Sequence, residues 1–401
     1  MGAMTPREIV ILGSTGSIGT QAIDVVTRNP DDFRVVGIGA GGGDPALLAA
    51  QALALGVEVI GVARSSAVQD LQLALYAEAD KRGYATGDFP IPKILAGPEA
   101  MTELAQWRCD LVLNAITGSI GLGPTLSALR AGRLLALANK ESLVAGGPLV
   151  RAATEPGRLI PVDSEHSALA QSLRGGRESQ VRRMIVTASG GPFRGRPRSD
   201  LVDVTVEQAL AHPTWNMGPV VTVNSATLVN KALEVIETHE FFGIPYRDIT
   251  VVVHPQSIIH SMVEFVDGST IAQVSPPDMR LPIAHALAWP DRVPDAAAPM
   301  DWTAAHRWSF DPLDDEAFPA VRLGRRAGEA GHCLPAVFNA ANEECVAAFL
   351  AGRLGFLEIT DTLEQVLSAA PGFDEPGTVE QVLAAEEWAR AIARERIAAR
   401  R

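Results

Sequence analysis

Four apolar residues in a row, Ile9-Val10-Ile11-Leu12, open the pattern of this chain. Similar short runs recur at residues 34–38, 57–62, 93–96, 111–115, 134–138 and 159–162. Continuous runs of this length suit strands buried on both faces of a parallel sheet, and the segments between them carry helical spacing. Residues 184–188 form one more such run, and 250–253, 258–265 and 270–274 alternate like strands of a second sheet. From 318 to 401 the periodicity is helical without strand signals, which predicts three or four helices in a small bundle. Residues 290–312 are rich in Pro, Ala and Asp and read as a linker, while 69–92 fits neither period and reads as an insertion. The pattern predicts an α/β protein in three parts. A Rossmann-like parallel-sheet domain covers 6–164, a central α+β domain 165–289, and an α-helical bundle 313–401 beyond the linker.

The first apolar run ends in Gly13-Ser14-Thr15-Gly16-Ser17-Ile18-Gly19, followed by a helical pattern over 21–27. Strand, glycine turn and helix let a backbone approach a pyrophosphate seated on the helix N-terminus. The spacing is GxxGxxG rather than GxGxxG, and a tight turn that binds nothing has the same pattern. Thr15, Gly16, Ser17 and Ile18 are the candidate cofactor contacts. After the second strand an NAD-type fold usually carries an acid for the ribose, but this chain has Gly39-Ala40-Gly41-Gly42-Gly43. The missing acid leans towards NADP, and the backbone N–H groups of Gly41, Gly42 and Gly43 could take the place of side chains. Asn139, Lys140 and Glu141 stand at a later strand end, where doubly wound sheets bind ligands; a salt bridge at a helix start accounts for Lys140-Glu141 equally well.

Residues 224–237 predict an amphipathic helix with Asn224 and Ser225 at its start. Leu228, Ala232, Val235 and Ile236 form its apolar stripe, and Thr227, Asn230, Lys231 and Glu234 its polar face. Hydroxyl, amide and ammonium near a helix start suit a phosphate monoester, and Glu234 suits a hard metal ion. A solvated Lys–Glu pair is the plainer reading of the same face. Asp163-Ser164-Glu165-His166 follows the run at 159–162; on an extended segment Asp163 and Glu165 point the same way and call for a cation between them. An oxygen-only pair suits Mg²⁺ or Mn²⁺, while helix capping by Asp163 or Ser164 is the structural alternative. Ser189 offers a hydroxyl in a flexible turn, and Thr205 to Gln208 has the form of a capping box. Residues 211–218 place His212, Trp215, Met217 and a hinge glycine, Gly218, on one loop between a helix and an expected strand. Such a loop suits a lid; a surface loop pinned by Trp215 is the alternative.

Composition narrows the class. A net charge of −13 without a Lys/Arg block argues against a nucleic-acid surface, so an anionic substrate needs a local basic site. Three cysteines, Cys109, Cys333 and Cys345, far apart or inside helical patterns, make neither a disulfide framework nor zinc spacing, which points to a reducing, cytoplasmic setting. A strand starting near Glu8 leaves no room for a signal peptide, and no apolar run is long enough to span a bilayer, so no membrane partner is expected.

Taken in order, the motifs at 13–19, 139–143, 163–167, 189–193, 212–218, 224–234 and 254–262 resemble the 1-deoxy-D-xylulose 5-phosphate reductoisomerases. The resemblance implies NADPH and a divalent metal as cofactors, a phosphorylated sugar as substrate, and a homodimer. The reaction it implies is conversion of 1-deoxy-D-xylulose 5-phosphate to 2-C-methyl-D-erythritol 4-phosphate by retro-aldol and aldol steps followed by hydride transfer. It assigns the metal to Asp163, Glu165 and Glu234. It assigns catalytic roles to Lys140, Glu165, His212 and Glu234. Substrate contacts are then Lys140, Ser164, Glu165, Ser189, His212, Trp215, Ser225, Asn230, Lys231 and Glu234, and cofactor contacts extend to Asn139, Glu141 and Gly218. Many family members carry a Lys or Asn where this chain has Gly42 and Gly43, which leaves the holder of the NADP 2′-phosphate open. A semialdehyde- or homoserine-type NADP dehydrogenase, or an NADP-binding redox sensor, are the competing classes. Neither gives a reason for three converging carboxylates.

Overall fold

A computed structural model describes residues 5–85, 89–215 and 217–400. The chain forms two compact units. The first holds residues 1–142, 152–163 and 279–297, and the second holds 143–151, 164–278 and 298–401.

The first unit is built on a seven-stranded sheet: β1 (Arg7–Leu12), β2 (Phe33–Ala40), β3 (Val59–Val62), β4 (Lys93–Ala96), β5 (Leu111–Asn114), β6 (Leu134–Leu137) and β7 (Leu159–Pro161). Their order is β4-β3-β2-β1-β5-β6-β7, and every pair is parallel. Ile9, Val10, Ile11 and Leu12 are all fully buried, which is why β1 reads as a run rather than an alternation. The chain winds outward from β1 to β4, then returns to lay β5 beside β1, so the strand order reverses at that pair. In open α/β sheets ligands bind at this point, outside the strands' carboxyl ends. The stretch expected as an insertion contains the helix Val68–Lys81, which seats Leu71, Leu75 and Ala79 in the core at four-residue spacing. Residues Thr86 to Asp88 of that stretch lie outside the described residues. The segment 279–297, which includes the start of the expected linker, belongs to this unit. Arg7 ties it there, donating through Nη1 to Leu287 O at 2.7 Å and Trp289 O at 3.0 Å.

The second unit carries a mixed sheet of β8 (Val181–Ala188), β9 (Ile249–Val253), β10 (Ile259–Phe265), β11 (Thr270–Val274) and the two-residue β12 (Asp311–Pro312), in the order β11-β10-β8-β9-β12. Burial alternates along β9 as the sequence pattern requires of a sheet with one core face. The helix Val229–Phe242 packs between this sheet and the C-terminal helices. Those are Ala320–Ala330, Leu334–Leu350, Phe356–Ala369 and Val379–Ala398. They do not form a core of their own: residues from 144 to 265 and from 317 to 397 share one apolar cluster. Gly324 makes the closest approach possible, since a Cβ there would stand 2.8 Å from Ala232 Cβ.

The helix expected over 224–237 is two helices. Pro219–Ala226 starts with Pro at its first turn, and Leu228, with φ of 60°, breaks the chain before Val229–Phe242. Asn224 and Ser225 therefore end one helix instead of capping the next, and Asn224 Oδ1 accepts from Asn342 Nδ2 at 2.9 Å inside the core. The loop 211–218 accordingly leads into a helix, not a strand. Glu165 is likewise not on an extended segment: β7 ends at Pro161 and the helix Ser164–Leu173 begins directly after Asp163. The expected Thr205 box is present, with Thr205 N donating to Gln208 Oε1 at 3.0 Å and Gln208 N to Thr205 Oγ1 at 3.3 Å.

Candidate active site

The glycine turn lies at the point where the sheet order reverses. Gly13 follows β1 with φ of 85°, and a Cβ on it would stand 2.5 Å from Ala115 O, just past β5. A Cβ on Gly19 would stand 2.3 Å from Gly13 O, so this position too admits only glycine. Gly16 precedes the helix Ser17–Arg28, whose first N–H groups open on the turn with Thr15, Ser17 and Ile18 around it. The shape fits a dinucleotide pyrophosphate. Gly41, Gly42 and Gly43 follow β2 on the same edge of the sheet. Asn139 is 1% exposed and saturated by protein: the two N–H groups of Nδ2 are shared among Ile116 O at 2.7 Å, Gly118 O at 3.0 Å and Glu141 Oε2 at 2.7 Å, and Oδ1 accepts from Ser142 N at 3.0 Å. Asn139 thus shapes the loop after β5 and holds Glu141. Lys140 pairs with Asp163 within this unit.

In the second unit two clusters form. The first joins three predicted residues from distant parts of the sequence. His212 Nε2 lies 3.1 Å from Ser189 Oγ and 3.1 Å from Ser225 Oγ. Its Nδ1 accepts from Thr214 N at 3.1 Å and Trp215 N at 2.9 Å. Two backbone donors on Nδ1 place the proton of the neutral ring on Nε2, aimed at the two hydroxyls. Burial holds the His212 pKa below the usual histidine value, which keeps that neutral form. The turn after β8 reaches this cluster because Gly191, with φ of 65°, lies against Ser225: a Cβ there would stand 2.9 Å from Ser225 O. Trp215 is half-buried, edge-on to His260 with ring centroids 6.2 Å apart. Gly218 precedes Pro219–Ala226, and Asn216 lies outside the described residues.

The second cluster is ionic. Lys231 Nζ donates to Glu165 Oε1 at 2.7 Å and also to Glu234. Ligand oxygens of Glu165 and Glu234 lie within 4.8 Å of each other. Asn230 donates to Glu234 Oε1 and Ser164 to Glu165 Oε2. Lys231 is 4% and Glu234 1% exposed, so this face is polar but not solvated. Burial works against the Lys231 charge, yet the two carboxylates outweigh it and raise the pKa above the ordinary lysine value. A half-buried carboxylate, Glu165, and a buried one, Glu234, converging on one cation with oxygen donors only, fit a hard divalent ion. Asp163, one residue before the helix that carries Glu165, is the third predicted ligand.

Sequence reasoning did not single out His166. It is fully buried; its Nε2 lies 3.0 Å from Glu234 O, and its Nδ1 is 3.9 Å from Glu237 Oε2. It braces the backbone behind Glu234, and its place next to Glu165 was the available signal. His254 is structural: Nδ1 lies 2.9 Å from Ser309 O, while Nε2 accepts from Ile258 N at 3.2 Å and Ile259 N at 3.1 Å. The three cysteines are free and buried, and burial pushes the Cys109 thiol up to about 11 and Cys345 to about 12, which makes both inert.

Three family profiles cover most of the chain. The 1-deoxy-D-xylulose 5-phosphate reductoisomerase profile matches residues 9–147, its C-terminal domain profile 159–242, and the DXP reductoisomerase C-terminal domain profile 274–392. The chain belongs to the 1-deoxy-D-xylulose 5-phosphate reductoisomerase family. The reductoisomerase of Kitasatospora griseola is 62% identical over 96% of this chain and 99% of its own length. That of Streptomyces coelicolor is 60% identical over 97% and 92%. Among solved structures, the reductoisomerase of Zymomonas mobilis in complex with NADPH superposes with a TM-score of 0.88 at 39% identity, covering 98% of this chain and 99% of that one. A DOX-P reductoisomerase in complex with NADPH, fosmidomycin and magnesium gives 0.85 at 32% identity, covering 98% of each chain.

Proposed function

We propose that this chain catalyses the NADPH- and divalent-metal-dependent isomerisation and reduction of 1-deoxy-D-xylulose 5-phosphate to 2-C-methyl-D-erythritol 4-phosphate, in the non-mevalonate route to isoprenoids. The observation that carries this reading is the convergence of the half-buried Glu165 and the buried Glu234 on one buried cationic centre in a member of this family. Asp163, Glu165 and Glu234 would hold one Mg²⁺ or Mn²⁺. When bound, the metal supplies Lewis acidity to substrate oxygens and NADPH supplies the hydride.

The chain's own residues bind, orient and move protons. The Nε2–H of His212 and the hydroxyls of Ser189 and Ser225 converge as donors for the substrate phosphate. Asn230 and Lys231 add an amide and an ammonium. Lys231 pairs with both Glu165 and Glu234, and with a metal on those carboxylates its charge would be available to the phosphate. Gripping this remote group orients the reacting carbons. Glu165 or Lys140 moves the proton between hydroxyl and carbonyl in the retro-aldol and aldol steps. The loop 211–218 closes over the substrate and excludes water, carrying Trp215 with it. Thr15 to Ile18, Gly41 to Gly43, Asn139, Glu141 and Gly218 are the residues this reading gives to the dinucleotide. The protein acts as a cytoplasmic homodimer. Among the described residues no helix is long and apolar enough to cross a membrane.

NADPH oxidation in the presence of deoxyxylulose phosphate, with and without Mg²⁺ or Mn²⁺, tests the reading. Turnover that survives complete metal removal would refute it. A dehydrogenase of the homoserine or semialdehyde type gives no account of the paired carboxylates or of the donor cluster for a phosphate. Sedimentation at micromolar protein tests the dimer.

A further inference from the structure

The turn after β2 has only glycines where a side chain could grip an adenosine 2′-phosphate. The neighbouring strand provides one. β2 and β3 pair through Ala40 and Val62, and Ala63 N donates to Ala40 O at 3.1 Å, so the two chains leave the sheet side by side. Arg64 is the second residue past β3, and it is exposed. Its Nε donates to Gly41 O at 3.2 Å. The turn is shaped to receive it. Gly42 has φ of 88°, and a Cβ on it would stand 2.9 Å from both Val62 Cγ2 and Ala67 Cβ; a Cβ on Gly43 would stand 3.5 Å from Arg64 Nη2. Gly42 therefore lets the turn close against Val62 and Ala67, and Gly43 leaves the arginine's Nη2 in ordinary contact range of the turn. Among the described residues Nη1 and Nη2 make no hydrogen bond. A guanidinium anchored by Nε, with its outer fork open, is arranged for bidentate contact with a phosphate.

We infer that Arg64 binds the 2′-phosphate of NADPH and sets the preference for NADPH over NADH, in place of the side chains that Gly42 and Gly43 lack. The inference rests on the NADPH reading of the first unit. It is tested by calorimetric titration of the full metal-free chain with NADPH, NADH, 2′,5′-ADP and 5′-AMP, in wild type, R64A and R64K. A lost charge-assisted phosphate contact weakens binding about ten- to hundredfold. R64A should show that loss for NADPH and 2′,5′-ADP, with NADH and 5′-AMP changed by less than about threefold on the same scale. R64K, which keeps the charge but not the fork, should fall between. Equal weakening for nucleotides with and without the 2′-phosphate would mean that Arg64 only shapes the Gly41 turn, and would overturn the inference; so would unchanged NADPH affinity. Wild-type protein that binds neither dinucleotide would instead strike at the NADPH reading itself.

Discussion

Removing the ammonium of Lys231 should make the metal-free protein depend on a divalent cation for its stability. In Lys231→Met the stem and its packing are nearly kept, but Glu165 and Glu234 are left facing each other with oxygens within 4.8 Å. At an effective dielectric constant of about 20, two unit charges at that separation repel by about 3.5 kcal/mol, a repulsion that the attraction of the Lys231 ammonium to both carboxylates offsets in wild type and that nothing offsets in the variant. Relief of the buried lysine's own desolvation offsets part of this, so the net cost is about 2–3 kcal/mol. A cost of that size lowers Tm by roughly 5–10 °C. Added Mn²⁺ or Mg²⁺ supplies the missing positive charge, so the stabilisation by metal should be larger in the variant than in wild type, and the metal affinity tighter. Turnover should stay low even with metal, because the phosphate has lost its ammonium. Thermal denaturation with chelator and with metal, together with calorimetric titration of Mn²⁺, measures both halves. A variant as stable as wild type in chelator, with the same metal-induced shift in Tm, would refute the argument that Lys231 and the metal act on the same two carboxylates.

Glu234→Gln should abolish turnover and metal binding while NADPH affinity stays within about twofold, a difference small beside the roughly tenfold per 1.4 kcal/mol scale of a lost contact; normal turnover would remove Glu234 from the metal site. Trp215→Ala should cut turnover substantially and leave Tm close to wild type, since completing the burial of a ring already half-covered supplies at most about 2–3 kcal/mol towards closure. Hydrogen exchange over 211–218 should fall when a substrate analogue binds, and equal, strong protection with and without it would end the lid reading. His212 has its folded pKa below the unfolded value near 6.5, so its contribution to the loop is fully present above that pH and is lost as pH falls through the folded value. A protonated Nδ1 cannot accept from Thr214 N and Trp215 N, so the protection of those two amides, corrected for their intrinsic exchange rates, should fall as the His212 ring is titrated to its charged form, and protection unchanged across that titration, followed by the ring's own NMR signals, would contradict an accepting Nδ1.

Most strands of the first unit were legible in the chain because a strand buried on both faces is apolar at nearly every position, as Ile9 to Leu12 are; the edge strand β4, with Lys93 and Ala96 exposed, shows the pattern least. Gly13 and Gly19 were legible for a similar reason, since the backbone there tolerates no Cβ. The C-terminal helices showed their own periodicity. What local pattern could not carry was decided by contacts far along the sequence. Nothing about Leu228 announces a left-handed residue that splits one expected helix into two; the packing of both halves imposes it. Lys231 looks solvated in its own helix, and it is buried because Glu165, 66 residues away, meets it there. The C-terminal helices look like a separate bundle, yet their apolar faces close one core with the Val229–Phe242 helix. Arg64 lies outside the glycine turn's sequence neighbourhood and reaches Gly41 only through the pairing of β2 with β3. Periodicity records which face of an element avoids water; which partner covers that face, and which charge meets it there, is fixed only when distant segments pack.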